Sequence, residues 1–213
     1  SNLKFKASML FECIGAFLFL RFKILQIMTA ADSLKKIKEG NERYVQDVLT
    51  HPNSDNTRKA SQTGGQSPFA IVLSCADSRV VPELIFDQGI GDLFVIRVAG
   101  NTANASSIAS IEYAVAHLGT KLIVVLGHES CGACGAAVAG GDNGPNLNHL
   151  LDMIQPAVDK SENKEVNDVV KINAAIQAEE LVNQSKIIAN AVENSGVEIV
   201  SAYYNLNGGK VNF

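Results

Sequence analysis

The chain contains four short apolar runs. Because polar residues do not alternate with the apolar ones in these runs, they predict strands that are buried on both faces. The runs occupy residues 69–74, 92–98, 121–127 and 197–204. Uninterrupted β-branched and aliphatic stretches of this length are typical of parallel strands that have helices on both sides of the sheet. Residues 104–118, between the second and third runs, carry apolar side chains at helical spacing, which predicts a right-handed strand–helix–strand unit.

A helix is expected before the first apolar run. Asp32 or Ser33 can cap its N-terminus, because short polar side chains accept hydrogen bonds from the first free N–H groups of a helix. The apolar positions that keep a helical period are Leu34, Ile37, Tyr44, Val45 and Val48. Residues 50–67 are polar and contain Pro and Gly, which predicts a loop between this helix and the sheet.

The whole pattern predicts one α/β domain over residues 29–213, with a mainly parallel central sheet flanked by helices. Two further helical segments occupy about 146–159 and 165–194. The turn signal at 205–210 predicts a short hairpin that closes the domain. A chain of 213 residues is long enough to bury one sizeable core.

Residues 1–28 form an apolar extension outside this domain, which is either a helix or a targeting segment. A basic start followed by the apolar run at 9–20 is similar to a signal peptide. However, Glu12 interrupts the run, and the run is shorter than the ~20 residues that span a bilayer. We therefore expect a helix that packs on the body or on a partner subunit of a cytoplasmic protein, with no membrane association. The alternative is export to the periplasm, with residues 1–31 acting as a signal.

Composition and charge argue against two classes of protein, nucleic-acid-binding proteins and disulfide scaffolds. The net charge is -4 and the pI is about 5.6, whereas a nucleic-acid-binding face needs clustered basic residues, so we expect no nucleic-acid partner. Four cysteines are too few for a disulfide scaffold in a chain of 213 residues. Since some of them stand beside His, Asp and Arg, reduced thiols that serve chemistry are the better interpretation.

Three of the candidate ligands follow predicted strands. Cys75 comes directly after the first apolar run, and His128 and Cys131 follow the third. Because ligand sites of open α/β sheets lie beyond the carboxyl ends of the strands, these side chains converge if the two strands are neighbours. Zinc binds thiolate sulfur and imidazole nitrogen in a tetrahedron, and three protein ligands leave its fourth position open. Buried apolar cysteines and a structural histidine remain the alternative at this point.

A second pairing is also possible. Cys131 and Cys134 form C-x-x-C, a spacing that thioredoxin-like redox proteins use at a helix N-terminus. This interpretation leaves Cys75 without a role. We therefore expect Cys134 to be a small residue on the packed side of a helix that begins near Cys131.

Asp77 and Arg79 stand two and four residues after Cys75. As an isolated surface ion pair they would contribute little to stability. Beside a metal they would do more, because an arginine keeps a carboxylate ionised and oriented as a hydrogen-bond acceptor. The pair is therefore a candidate for catalysis.

Four stretches of the sequence together form a specific pattern. They are CADSRV at 75–80, DLFVIRVAGN at 92–101, SIEYAVAHLG at 110–119 and IVVLGHESCGA at 123–133. With the paired motifs C-x-D-x-R and H-x-x-C, this pattern closely resembles the β-class carbonic anhydrases. The similarity runs from about residue 30 to the C-terminus and leaves the N-terminal extension outside.

This resemblance implies an enzyme that hydrates carbon dioxide to bicarbonate and a proton, with Zn2+ as its cofactor and CO2 and bicarbonate as its small-molecule partners. It also implies a homo-oligomer, either a dimer or a tetramer. The matching positions are Cys75, His128 and Cys131 as metal ligands, Asp77 and Arg79 as the catalytic pair, and Gln66, Phe94, Ala99, Tyr113 and Gly132 as substrate-pocket residues. By this match Gln66 donates an amide hydrogen bond to the substrate, and the Gly132 N–H reaches bicarbonate.

Three other functions stay open on the sequence alone. A sister zinc hydrolase of CS2 or COS would share the ligands and differ in its access channel. A thiol redox protein would use Cys131 and Cys134 and would not need Cys75. A non-catalytic zinc-stabilised protein would need a fourth protein ligand, and the Asp77–Arg79 pair argues against it.

The ligand charges predict the pH dependence. Two thiolates and a neutral imidazole cancel the charge of a zinc ion, and a neutral centre lowers the pKa of water less than a His-only site does. We therefore expect the rate of CO2 hydration to rise as the pH is raised above neutral. Stopped-flow rates between about pH 6 and pH 9 test this, and a flat profile would contradict it.

Overall fold

A five-stranded sheet forms the centre of the protein. The computed structural model describes residues 28–213, so the predictions for the apolar run at 9–20 lie outside the described residues. The strands are β1 (Ala70–Ser74), β2 (Leu93–Arg97), β3 (Leu122–His128), β4 (Glu198–Tyr204) and β5 (Val211–Asn212), in the spatial order β2-β1-β3-β4-β5. All pairings are parallel except the closing hairpin of β4 and β5. The predicted α/β fold with a mainly parallel sheet is confirmed.

Helices cover both faces of the sheet. They are α1 (Ala30–Val45), α2 (Asn56–Ser61), α3 (Pro82–Ile85), α4 (Ala105–Leu118), α5 (Gly132–Ala139), α6 (Pro145–Asp152), α7 (Gln155–Lys160), α8 (Val166–Gln184) and α9 (Lys186–Asn194). A 3₁₀ turn, Ala99–Asn101, follows β2. Within residues 28–213, no helix combines the length and the apolar character that a membrane span requires.

Alternate side chains of β1 divide between two apolar layers. Ile71 and Leu73 pack with residues of α4, α8 and α9 on one face. Ala70 and Val72 pack with residues of α1 and α3 on the other face. A third apolar cluster, formed by α5 to α8 beyond the carboxyl ends of the strands, includes Cys75, Cys131 and Cys134. β1 and β3 are buried along their whole length, which explains why uninterrupted apolar runs in the sequence predict these two strands.

The first helix differs from the prediction at both ends. Thr29, not Asp32 or Ser33, caps α1: the Thr29 side chain accepts from the Asp32 N–H while the Asp32 carboxylate accepts from the Thr29 N–H. This reciprocal capping box satisfies two N–H groups at once and moves the helix start upstream. Because α1 ends at Val45, Val48 lies outside the helix and is exposed.

Other predicted boundaries also change. The loop at 50–67 contains the short helix α2. The helical segment at 146–159 splits into α6 and α7, and the segment at 165–194 splits into α8 and α9. The second break occurs because the Ser185 side chain accepts from the Ile188 N–H and starts a new helix. β2 is only half-buried, because it is an edge strand with one neighbour in the described chain.

A buried carboxylate, Asp87, joins the start of the polar loop to the body. The Asp87 side chain, 1% exposed, accepts a 2.6 Å hydrogen bond from Arg43 Nε. The backbone N–H groups of Thr50 and His51 also donate to this carboxylate. Burial by itself would raise the pKa of Asp87, but the hydrogen bonds from Arg43 and Thr50 outweigh it and lower the pKa to about 2. Asp87 is therefore ionised in the folded protein at neutral pH.

We expect Asp87→Ala to lower the free energy of unfolding by about 3 kcal/mol, because Arg43 and the N–H donors of the loop lose their acceptor. Since folding lowers the pKa of Asp87, this stabilisation is complete above about pH 4 and is lost as the pH falls towards about 2. Urea unfolding at one fixed protein concentration measures it. The control is Glu39→Gln, which removes an exposed ion pair with Lys35 and should change the free energy by less than about 0.5 kcal/mol. Equal effects of the two variants would contradict the prediction.

Candidate metal centre

Three potential ligands meet at the carboxyl edge of the sheet. Cys75 follows β1, His128 is the last residue of β3, and Cys131 directly precedes α5. Their ligand atoms all lie within 4.8 Å of one another, and all three residues are buried. The sulfurs of Cys75 and Cys131 are 4.0 Å apart. Two sulfurs of a tetrahedral zinc site, each about 2.3 Å from the ion, lie about 3.8 Å apart. The cluster is therefore able to hold a metal ion.

The topology explains why residues so distant in sequence converge. β1 and β3 are direct neighbours, and Ser74 pairs with Leu126. Cys75 leaves the sheet at the level where β3 continues for two more residues, because Gly127 and His128 pair with Tyr203 and Tyr204 of β4. The condition under which the sequence predicts convergence, that the two strands are neighbours, is therefore met.

The tautomer of His128 leaves one ring nitrogen available to bind a metal. Its Nδ1 lies 2.9 Å from the backbone oxygen of Glu129, and because a carbonyl oxygen only accepts, Nδ1 carries the proton. The lone pair is then on Nε2, which is fully buried and has no hydrogen-bond partner among residues 28–213. A buried acceptor without a donor is unfavourable, and a metal ion removes this cost.

The surroundings of the two thiols favour their protonated forms when no metal is bound. The hydrogen bond with Cys131, followed by burial, raises the pKa of the Cys75 thiol to about 12. The hydrogen bond with Cys134 raises the pKa of Cys131. Without a metal both sulfurs are therefore protonated at neutral pH. Because a metal binds thiolates, its uptake by this cluster must release protons.

Asp77 and Arg79 form a bidentate ion pair beside the cluster. Arg79 Nε donates to Asp77 Oδ1 at 3.0 Å, and Arg79 Nη2 donates to Oδ2 at 2.8 Å. These hydrogen bonds hold the pKa of Asp77 well below its usual range, so the carboxylate is ionised at neutral pH. Asp77 Oδ2 lies 3.9 Å from His128 Nε2, which places the carboxylate against the metal ligands.

Arg97 is a site residue that the sequence did not reveal. It ends β2 in register with Ser74, and its Nε donates to the backbone oxygen of Cys75 at 3.1 Å. Its Nη2 donates to the backbone oxygen of Asp77 at 2.5 Å. Arg97 therefore fixes the segment that carries both a ligand and the carboxylate. In the sequence it is a charged residue inside an apolar run, within the stretch DLFVIRVAGN at 92–101.

Hydrogen bonds of Ser130 with α8 and with Arg79 hold the loop before α5. Ser130 has a left-handed backbone with φ 55°, which is unfavourable for a residue other than glycine. Its N–H donates to Asn167 Oδ1 of α8 at 2.8 Å, and its carbonyl accepts from Arg79 Nη2 at 3.4 Å. These contacts stabilise the turn that points Cys131 at the other ligands.

The five predicted substrate residues separate into two groups. Ala99 opens the 3₁₀ turn next to Cys75, and Gly132 opens α5 next to Cys131. Phe94 instead pairs with Ile71 on β1, four residues before Cys75, which is roughly 13 Å along a strand. Tyr113 packs on Phe94, with their ring centroids 6.3 Å apart. Gln66 is exposed and precedes β1, whose other end leads to Cys75. Within one chain, Gln66, Phe94 and Tyr113 are therefore not brought to the metal ligands.

Cys134 lies inside α5 and is completely buried in the apolar cluster beyond the strands. This agrees with its prediction as a small packed residue. Cys75, Cys131 and Cys134 are all free thiols in the described part of the chain.

A mainly parallel sheet carries, at its carboxyl edge, a Cys–His–Cys cluster able to hold a metal ion and an Asp–Arg pair, an arrangement typical of an α/β enzyme. The family model described as carbonic anhydrase matches residues 70–211, which include the whole cluster. The chain belongs to this family and, by its structural neighbours, to its β class.

Relatives of known identity cover most of the chain. Carbonic anhydrase 2 of Mycobacterium tuberculosis is 37% identical over 191 residues, which cover 83% of this chain and 88% of the relative. The carbonic anhydrase of Mycolicibacterium smegmatis is 38% identical over 192 residues, with 83% and 89% covered. Among solved structures, the Coccomyxa β-carbonic anhydrase in complex with acetazolamide has a TM-score of 0.68 at 26% identity, with 82% of each chain covered. A tetrameric β-carbonic anhydrase of Sordaria macrospora has a TM-score of 0.65 at 27% identity, with 73% of this chain and 89% of that chain covered.

Proposed function

We propose that this protein is a zinc-dependent carbonic anhydrase that converts CO2 and water to bicarbonate and a proton, reversibly. The observation that carries the proposal is the buried Cys75–His128–Cys131 cluster with the ionised Asp77 at its border, in a chain of the carbonic anhydrase family. Family membership and the packed position of Cys134 favour this function over a thiol redox activity.

Zinc is the metal that this donor set fits best. Two thiolates and one imidazole are soft and intermediate ligands, which favour zinc over magnesium or calcium. A bound zinc ion would supply Lewis acidity, which lowers the pKa of water and makes it a nucleophile for CO2 at neutral to alkaline pH. Cys75, His128 and Cys131 would hold the ion through both sulfurs and Nε2.

The chain's own groups would then orient the reaction. Asp77, which Arg79 keeps ionised, accepts a hydrogen bond at Oδ2 on the side that faces His128, and so orients a nucleophile that carries a proton. The Gly132 N–H at the start of α5 would donate to the negative charge that develops on the product oxygens. Arg97 keeps the Asp77 backbone in place while this happens.

A second copy of the chain would complete the pocket. β2 is an edge of the sheet in the described chain, and the Tyr113 side chain beside it is 48% exposed, which is high for a large aromatic. We therefore propose a homo-oligomer, a dimer or tetramer, in which Gln66, Phe94 and Tyr113 of one copy face the metal ligands of another. The Sordaria macrospora neighbour is itself tetrameric. Light scattering of the purified protein tests the assembly, and an active monomer would refute it.

The activity is tested by stopped-flow CO2 hydration on protein whose zinc content has been measured. We expect activity in proportion to bound zinc, and its loss after chelation with recovery on zinc addition. The same preparation is assayed with CS2 and COS, because a sister hydrolase would share every ligand. Zinc-loaded protein that hydrolyses CS2 but leaves CO2 unchanged would overturn the proposal.

A further inference from the structure

The Cys75 sulfur has a backbone hydrogen-bond donor in addition to its neighbouring ligands. The N–H of Gly100 points at Cys75 Sγ, with 3.4 Å between nitrogen and sulfur. Gly100 lies in the 3₁₀ turn Ala99–Asn101, which follows β2. A hydrogen bond to a ligating thiolate withdraws charge from the sulfur and tunes the metal that it binds. The orientation of the Gly100 backbone is therefore part of the metal centre.

This backbone is in an unfavourable conformation. Gly100 and Asn101 are both left-handed, with φ of 68° and 46°. Successive left-handed residues are rare, and the conformation costs free energy at Asn101 in particular. A Cβ on Gly100 would lie 2.6 Å from Ile154 Cδ1, so the turn is also packed tightly. Contacts from outside the turn must hold it in place.

Two amide side chains of α8 supply these contacts. Asn173 Nδ2 donates to the Gly100 carbonyl at 2.8 Å, and Asn173 Oδ1 accepts from Gln177 Nε2 at 3.0 Å. Gln177 Oε1 accepts from the backbone N–H of Ala103 at 2.7 Å. Asn173 and Gln177 are four residues apart, so they lie on one face of the helix. Asn173 is 0% and Gln177 is 2% exposed, and every side-chain polar atom of both amides takes part in a hydrogen bond.

We propose that Asn173 and Gln177 are positioning residues of the metal centre, which hold the Gly100 backbone so that its N–H stays on the Cys75 sulfur. The two amides hydrogen-bond to the turn and to the residue that follows it, at the Gly100 carbonyl and at the Ala103 N–H. Within residues 28–213, the hydrogen bonds of both amides go to groups other than the metal ligands. The inference rests on the proposed function, because the metal that Cys75 binds belongs to that proposal.

The test uses purified full-length protein loaded with Co2+ or Zn2+. Asn173→Leu and Gln177→Met keep approximate side-chain size and remove the hydrogen bonds. Asn41→Leu is the matched control, because Asn41 is also buried and its Nδ2 donates to the backbone carbonyls of Ile85 and Gly209, away from the cluster. The readouts are the thiolate-to-Co2+ charge-transfer band, the Zn2+ dissociation constant from chelator competition, and the melting temperature.

Loss of the N–H donor leaves more charge on the sulfur, so the charge-transfer band should move to longer wavelength in Asn173→Leu and Gln177→Met. The Zn2+ dissociation constant should rise about 10-fold or more. Asn41→Leu should lower the melting temperature and leave the band and the dissociation constant at wild-type values. If Asn173→Leu does not fold, Gln177→Met decides the question by itself.

The outcomes separate the two proposals. Wild-type protein that gives no thiolate band with Co2+ would defeat the proposed function. Wild-type protein with a thiolate band, together with folded Asn173 or Gln177 variants whose band and affinity are unchanged, would overturn the positioning role alone. An equal band shift in Asn41→Leu would also overturn it, because the shift would then report general loosening of the fold.

Discussion

Asp77→Asn should lower kcat/KM for CO2 hydration by about 10²–10⁴-fold and leave one metal ion bound per chain. The asparagine keeps the shape of the side chain but loses the charge that Arg79 now holds in place. An amide has one acceptor oxygen where a carboxylate has two. Since the Arg79 backbone N–H and Nε both donate to the Oδ1 position, the amide NH2 takes the place of Oδ2, and a nucleophile beside His128 loses its orienting acceptor. Metal binding should persist because Asp77 is not one of the clustered ligands. Stopped-flow assays on metal-quantified protein give both numbers.

Asp168→Asn is the matched control for this experiment. Asp168 also has a pKa lowered by hydrogen bonds, from Asn163 and then Lys171, but it lies on the exposed surface of α8. Its substitution should leave kcat/KM within about 2-fold of wild type, because surface changes away from a site have small effects. If Asp77→Asn behaves like this control, the proposed role of Asp77 is wrong.

Cys75→Ser should remove most of the bound metal and with it the CO2 hydration activity. A serine hydroxyl does not ionise near neutral pH and is a poor substitute for a thiolate ligand. Loss of an outer hydrogen-bond partner already costs about 10–100-fold in metal affinity, so loss of a ligand should cost at least about 100-fold. Metal analysis after dialysis against a weak chelator measures the affinity, and the CO2 assay follows on the same samples.

Cys134→Ser is the control, and it also separates the two thiol chemistries. Cys134 packs among apolar residues of the cluster beyond the strands, so a serine there should cost some stability. Because the serine hydroxyl keeps a hydrogen-bonding group beside Cys131, metal content should stay close to wild type. A redox pair of Cys131 and Cys134 predicts the reverse, with function lost in Cys134→Ser and kept in Cys75→Ser. That reverse result would reject the metal centre as the basis of function.

The fold was predictable where burial leaves a local pattern. β1 and β3 are buried on both faces, and the apolar runs at 69–74 and 121–127 match them to within one or two residues. The half-buried edge strand β2 gives the same kind of apolar run, so its exposure was not predicted. The breaks within the two long helical segments depend on single capping contacts, such as Ser185 with the Ile188 N–H, which a periodic pattern does not show.

The metal cluster was predictable because its residues follow strand ends, where a general rule of α/β sheets places ligand sites. The residues that hold the cluster were not. Arg97 reaches the Cys75 carbonyl only because β1 and β2 pair in one register. Asn173 contacts Gly100 across 73 residues of chain, and neither residue has a sequence neighbour that indicates the other.

Local patterns were sufficient to locate the four parallel strands, the main helical regions and the side chains able to ligate a metal, because hydrophobic periodicity and side-chain chemistry are local properties. The three-dimensional fold was needed to show that β1 and β3 are neighbours, that His128 Nε2 is the free nitrogen, and that Phe94 and Tyr113 lie away from the ligands of their own chain. These features depend on strand register and on hydrogen bonds between distant segments. Such contacts are selected by the packing of the whole core, so no short stretch of sequence contains them.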